Sequence, residues 1–145
     1  MVFSSLMLIV NILNVFLTLT NQLVQGASVE IGRGLGRRQA NLKGMGQATF
    51  YTPGLGACGE THTESEMVVA ISKDLFQSLG GASSNPNQNP VCGKTVTASY
   101  QGKSCSVKII DLCMSCAQGD LDLSPAAFKQ LSDLSAGRIS GVTWG

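Results

Sequence analysis

The pattern that most constrains the fold is a strand, a short Cys-x-x-Cys loop and a second strand, all within residues 107–123. The first strand ends in Asp111, and the second carries Asp122. Ser124 and Pro125 then predict a helix start, because Ser is a favoured N-cap residue and Pro is favoured at the first helical position. The sequence therefore places the two acids at the rims of neighbouring strands. Two carboxylates held close together on rigid elements suit sugar chemistry or sugar recognition.

The N-terminal part of the chain lies outside this predicted domain. Residues 1–26 are apolar, almost uncharged and followed by small residues, which predicts a secretory signal peptide. A membrane anchor is the alternative, since the run is about long enough to span a bilayer, but Asn and Thr residues within it favour the signal peptide. Residues 27–46 are rich in Gly and Arg without periodicity, which predicts a flexible pro-segment or linker. The dibasic pair Arg37-Arg38 within it is either a processing site or part of a solvated linker.

Residues 47–145 are enough for one small domain with one core. From Gln39 onward, seven basic and eight acidic side chains give a net charge of −1, with no basic stripe. This charge distribution excludes nucleic acid as a partner. No second apolar stretch long enough to span a membrane follows residue 26. We expect a secreted, extracellular monomer with no cofactor, no metal and no membrane contact after signal removal.

All five cysteines lie in this domain, and in a secreted chain they are expected to oxidise. Two disulfides and one free thiol can be arranged in several ways. We favour a Cys113–Cys116 disulfide, which closes the short loop, and a Cys58–Cys92 disulfide, which ties an early loop to a later one. Cys105 is then the free thiol, on a buried strand.

Two other roles for these cysteines are disfavoured. A redox Cys-x-x-Cys site needs a helix directly after its first cysteine to lower the thiol pKa, and residues 117–120 break such a helix. A zinc site that combines cysteines with His62 has irregular ligand spacing in an oxidising compartment. His62, the only histidine, is predicted to be a solvated loop residue.

Hydrophobic periodicity predicts several short strands and two small helices. The strands are expected at 47–51, 67–72, 94–100, 105–110 and 139–144, with helices at 73–79 and 124–134. Short strands at this density are typical of a compact, mainly β barrel and not of a parallel α/β sheet.

A series of motifs then resembles the double-psi β-barrel family, which includes the first domain of expansins, the barwin-like proteins, the bacterial rare-lipoprotein-A domain and many secreted fungal proteins. The motifs occupy residues 46–51, 57–59, 91–94, 111–116, 120–125 and 141–144. The resemblance covers Gly46–Gly145 and implies a six-stranded double-psi β-barrel with two short helices, stapled by disulfides. It is less specific for function, because the family includes hydrolases, non-hydrolytic wall looseners, protease inhibitors and effectors.

In the expansin branch, the resemblance implies a polysaccharide-binding groove lined by Thr49, Tyr51, Asp111 and Asp122, with Asp122 at the position of the essential acid. Related endoglucanases place their catalytic base where this chain has Thr52, and a hydroxyl of ordinary acidity cannot act as that base. Three glutamates further along could replace it, although their spacing does not indicate that role: Glu60, Glu64 and Glu66. We therefore predict an expansin-like domain that binds or loosens cell-wall polysaccharide without hydrolysing it. A glycosidase or lytic transglycosylase with Asp122 as its acid is the less favoured alternative. The second domain of expansins has no counterpart in these residues, so we expect weak binding to crystalline cellulose.

Two further alternatives stay open. A structural role is the alternative for both acids, and for Asp111 it consists of accepting backbone N–H bonds around the Cys113 loop. The second concerns the loops Thr52–Glu66 and Ala82–Asn89, which are long, polar and joined if the predicted disulfide between them forms. Rigid loops of this kind suit capture of a host protein or inhibition of a cysteine protease.

Overall fold

The computed structural model describes residues 42–80 and 83–145. The predicted signal peptide, the linker as far as residue 41 and the dibasic pair Arg37-Arg38 lie outside the described residues. No helix within these two ranges has the length and apolar character needed to cross a membrane.

The described part of the chain contains six strands and two α-helices. The strands are β1 (Gly44–Phe50), β2 (Val68–Ser72), β3 (Thr95–Tyr100), β4 (Lys103–Cys113), β5 (Leu121–Leu123) and β6 (Ile139–Trp144). The helices are α1 (Lys73–Leu79) and α2 (Pro125–Leu131), and short 3-10 helices occupy Pro86–Gln88 and Leu134–Ala136.

The six strands close into a barrel in the order β1-β5-β2-β4-β3-β6. β1 runs parallel to β5 and β2 runs parallel to β4, whereas the remaining pairs are antiparallel. This mixed barrel with two short helices confirms the predicted fold. Closure pairs every strand on both sides, so the sheet has no free edge to protect.

The barrel interior is filled by alternating apolar side chains. On β5, Leu121 and Leu123 are buried and Asp122 between them points outward. Helix α2 packs against β1, β4 and β5 and adds Phe128 to the core, with its ring centroid 5.1 Å from that of Phe50 on β1. Because successive side chains of a strand point to opposite faces, the apolar side chains fill the interior and the polar ones lie on the outer face.

Both helix starts are capped by serine, as the sequence predicts. The Ser72 hydroxyl accepts the Leu75 N–H at 3.3 Å, and the Ser124 hydroxyl accepts the Ala127 N–H at 3.2 Å. Helix α2 ends at Leu131, three residues before the predicted end, because Ser132 adopts an extended conformation. The residues after it form a separate 3-10 helix.

Strand β1 begins at Gly44, three residues earlier than predicted, in the stretch that the sequence assigns to a linker. Gly44 pairs with Trp144 of β6, and a Cβ at Gly44 would lie 2.6 Å from the indole ring. The same indole donates its N–H to the Gly119 carbonyl at 2.9 Å. Glycines therefore allow close packing at the start of β1, and the lack of a strand-like side-chain pattern hid the strand.

The structure forms both favoured disulfides, Cys58–Cys92 and Cys113–Cys116. Cys105 is the free cysteine and is buried. Burial raises the pKa of its thiol, which keeps it protonated and unreactive.

Candidate functional site

The candidate site lies on the outer face of β1 and the strands beside it. Thr49 of β1 is in register with Asp122 of β5, and the Thr49 hydroxyl donates to Asp122 Oδ1 at 2.6 Å. Both side chains are half-buried. Two of the predicted groove residues are thus joined by a direct hydrogen bond.

Asp111 and Asp122 are not on neighbouring strands, so that detail of the sequence analysis is wrong. Asp111 lies on β4 and Asp122 on β5, and β2 runs between these two strands. Both acids are nevertheless in register with the same residue of β2, Ala70. Residues side by side across a sheet point to the same face, so the two carboxylates flank a small residue on one surface.

Tyr51 lies close enough to both acids to feel their charges. Its hydroxyl is buried and forms no hydrogen bond within the described residues. Burial raises the pKa of Tyr51 above its ordinary range, and the negative charges of Asp111 and Asp122 raise it further. The structure therefore brings together all four predicted groove residues: Thr49, Tyr51, Asp111 and Asp122. We call these four residues the acidic patch.

The surroundings of Asp122 favour the protonated form of its carboxyl group more than water does. Burial raises the pKa of its carboxyl group, the Thr49 hydrogen bond and the Arg138 charge oppose that rise, and Asp111 adds to it. The Arg138 guanidinium donates to Gln47 Oε1 at 2.7 Å, which holds it beside this part of β1. Asp122 consequently keeps its proton to a higher pH than a free aspartate does, and in that form it donates a hydrogen bond.

Asp111 has a structural role that differs from the predicted one. Its Oδ1 accepts the backbone N–H groups of Ala57 and Leu112, both at 2.8 Å. It therefore fixes the loop that contains Ala57 and Cys58, not the Cys113 loop. Its second oxygen forms no hydrogen bond within the described residues and is open to a ligand.

The Cys113–Cys116 disulfide forms one side of the patch. Both sulfur atoms and a carboxylate oxygen of Asp122 lie within 4.8 Å of one another. Bonded to each other, these sulfurs are not thiolate ligands for a metal. The disulfide thus acts as a fixed apolar wall next to Asp122.

His62 is buried, with 8% of its surface exposed, so its prediction as a solvated residue is wrong. Its Nδ1 lies 3.0 Å from Glu66 Oε1, and its Nε2 lies 3.3 Å from Glu60 Oε2. The same Glu60 oxygen contacts Lys108 Nζ of β4 at 2.9 Å. Every sequence neighbour of His62 is polar, so no local pattern predicts its burial. The imidazole becomes buried because the loop folds around it.

Glu64 is a residue near the patch that spacing alone did not single out. The hydroxyl of Thr52, directly after Tyr51, donates to Glu64 Oε1 at 2.6 Å. The structure therefore places a carboxylate beside Thr52, a position at which the sequence offers only a hydroxyl group.

Comparisons with known proteins agree with this architecture. The double-psi β-barrel family model described as "Lytic transglycolase" matches residues 43–143. The papain inhibitor of Streptomyces mobaraensis is 39% identical over 105 residues, which cover 70% of this chain and 70% of that protein.

Two solved structures are similar in fold. The Streptomyces papain inhibitor superposes with a TM-score of 0.63 at 37% identity, over 72% of this chain and 93% of the inhibitor. A variant of the Clavibacter michiganensis expansin in complex with cellohexaose gives a TM-score of 0.58 at 25% identity, over 72% of this chain and 50% of the expansin. This chain belongs to the double-psi β-barrel family.

Proposed function

We propose that this protein is a secreted, extracellular domain that binds or loosens cell-wall polysaccharide through the acidic patch without hydrolysing it. The observation that carries the proposal is the convergence of Thr49, Tyr51 and Asp122 on one outer surface, with Asp111 across β2. Sugar hydroxyls both donate and accept hydrogen bonds, so a site for them needs both kinds of group. The Tyr51 hydroxyl supplies a donor, and the carboxylate oxygens of Asp122 and the second oxygen of Asp111 supply acceptors.

The bound cellohexaose in the similar expansin structure supports a glucan as the ligand class. Tyr51 supports it on physical grounds. A phenol hydroxyl buried without a partner costs free energy, and a sugar hydroxyl that reaches it would provide the missing partner.

The absence of hydrolysis in this proposal rests on Thr52, whose hydroxyl cannot act as the catalytic base. An inverting glycosidase needs a carboxylate base roughly 6.5–9.5 Å from its acid. Thr52 occupies the corresponding sequence position, and the Glu64 carboxylate beside it accepts a hydrogen bond from that hydroxyl. A lytic transglycosylase needs only one acid, and Asp122 would be that acid, so the release of soluble sugar must be measured in the same experiment.

The test is retention of the secreted protein on cellulose, chitin and xylan, compared with Asp122→Asn and with the control Asp133→Asn. Asp133 carries the same charge and caps the 3-10 helix Leu134–Ala136, and Asn is an equally good capping residue. We expect at least fivefold weaker retention for Asp122→Asn and unchanged retention for the control, with no soluble sugar released. Equal retention of all three proteins rejects the proposal, and sugar release that Asp122→Asn abolishes replaces it with lysis.

The second candidate function is inhibition of a cysteine protease, or capture of a host protein, by the loops. The papain inhibitor of Streptomyces mobaraensis, 39% identical over the barrel, supports it. The Cys58–Cys92 disulfide ties the first loop to the chain just after the second, and a Cβ at Gly59 would lie 2.8 Å from the Asn87 side chain. The first loop and the described part of the second therefore lie against each other. Inhibition of papain by the secreted protein tests this function separately from polysaccharide retention.

A further inference from the structure

The loop surface presents one large apolar side chain in an unusual setting. Leu55 is 75% exposed, more than any other large hydrophobic residue of the described chain. It stands between Gly54 and Gly56, so no neighbouring side chain along the backbone shields it or limits approach to it. Leu55 fills no pocket of its own protein, so its side chain is available to fill an apolar pocket of a partner.

The backbone at Leu55 is also open. Leu55 forms an antiparallel bridge with Thr61, and the hydrogen bonds of this bridge come from its neighbours. The His62 N–H donates to the Gly54 carbonyl, and the Gly56 N–H donates to the Glu60 carbonyl, each at 3.0 Å. In such a pair the N–H and C=O of Leu55 face away from Thr61. No hydrogen bond within residues 42–80 and 83–145 uses them.

Residues 54–62 form a short hairpin that is exposed but tied to the barrel by several contacts. The Cys58 N–H donates to the Ile110 carbonyl at 3.1 Å, and the Ala57 N–H donates to Asp111 Oδ1 at 2.8 Å. The Cys58–Cys92 disulfide fixes its far side, and the buried His62 fixes its base. A segment already ordered before binding loses little conformational entropy when a partner engages it.

The two glycines differ in what the fold requires. A Cβ at Gly56 would lie 2.5 Å from the Ile110 carbonyl oxygen, so packing demands glycine there. A Cβ at Gly54 would meet nothing within 4 Å, and Gly54 does not adopt a positive φ. Neither packing nor backbone conformation therefore explains glycine at position 54. Close approach of another backbone would require it.

We propose that Gly54–Gly56 is the segment that enters the substrate cleft of a papain-type cysteine protease, where it binds as an added extended strand. Leu55 fills an apolar subsite, and its free N–H and C=O pair with the backbone of the cleft. Gly54 lets the two backbones approach. This inference rests on the second candidate function and names the surface and the binding mode.

The experiment measures the inhibition constant against papain for the secreted protein and four variants. Leu55→Ala removes the anchor, and Gly54→Ala adds one methyl group to the approaching backbone. The controls are Met45→Ala and Met114→Ala, which remove the other large exposed hydrophobic side chains, 72% and 71% exposed. Thermal unfolding of every variant checks the fold, and we expect Gly54→Ala to unfold like the wild type because its Cβ has open space.

We expect Leu55→Ala and Gly54→Ala each to weaken inhibition at least tenfold, with both methionine variants within twofold of wild type. If the wild type inhibits and the two hairpin variants inhibit equally well, the proposed segment is wrong while the inhibitor function stands. If a methionine variant alone loses inhibition, the binding surface lies elsewhere. If the wild type does not inhibit papain, the second candidate function fails together with this inference.

Discussion

The two disulfides are expected to differ strongly in their contribution to stability, because they close loops of very different length. Cys58 and Cys92 are 34 residues apart, whereas Cys113 and Cys116 are 3 apart. The loop-entropy relation gives about 3.8 kcal/mol for the longer loop and about 1.6 kcal/mol for the shorter one. The predicted difference is therefore about 2 kcal/mol in the free energy of unfolding.

The perturbation is a pair of double variants, Cys58→Ala with Cys92→Ala and Cys113→Ala with Cys116→Ala. Replacing both partners leaves only the buried Cys105 thiol besides the other disulfide, so no new pairing competes. For a domain of this size, 1 kcal/mol shifts Tm by about 4–8 °C, so the first variant should unfold about 9–18 °C below the second.

Thermal unfolding followed by far-UV circular dichroism measures both midpoints, and urea unfolding gives the free energies directly. The reasoning is refuted if the two variants lose equal stability or if the order is reversed. In that case, the short Cys113–Cys116 disulfide stabilises the native state beside Asp122 more than the long one restricts the unfolded chain.

Three further outcomes are expected. Since the pKa of folded Asp122 lies above its ordinary value of 3.8, folding takes up a proton and the free energy of unfolding falls as pH rises through that interval. Asp122→Asn should lack this fall and be more stable than wild type at neutral pH; parallel Tm–pH curves would contradict it. Gly119→Ala, whose Cβ would overlap the Met45 carbonyl oxygen, should cost about 3 kcal/mol in urea unfolding, unlike Gly54→Ala. His62→Ala should accelerate amide exchange in the hairpin it supports, and unchanged exchange would show that the buried imidazole is dispensable.

The barrel and its caps were predictable because local patterns determine them. Alternation of apolar and polar residues marks β3, and serine followed by proline marks the start of α2. The start of β1 was not predicted because glycine at position 44 is required by its contact with Trp144, which is far away in the sequence. A long-range contact of that kind cannot be predicted from the residues next to it in the sequence.

The sequence named the residues of the acidic patch as candidates, but it did not show how their strands are arranged. The motif resemblance indicated Asp111 and Asp122, yet it did not show that β2 runs between their strands, because strand order depends on the crossing connections of the whole barrel. The burial of His62 and the approach of Glu64 to Thr52 likewise arise from the folded path of one loop. Spacing along the chain carries no information about such a path.

The most direct test of the polysaccharide proposal is a nuclear magnetic resonance titration of the isotope-labelled secreted protein with cellohexaose, chitohexaose and xylohexaose. The account predicts that at least one sugar shifts the amide signals of Thr49, Tyr51 and Asp122, with little change at Leu55. Saturating sugar that leaves those three signals unmoved, or that moves only the hairpin signals, would contradict it.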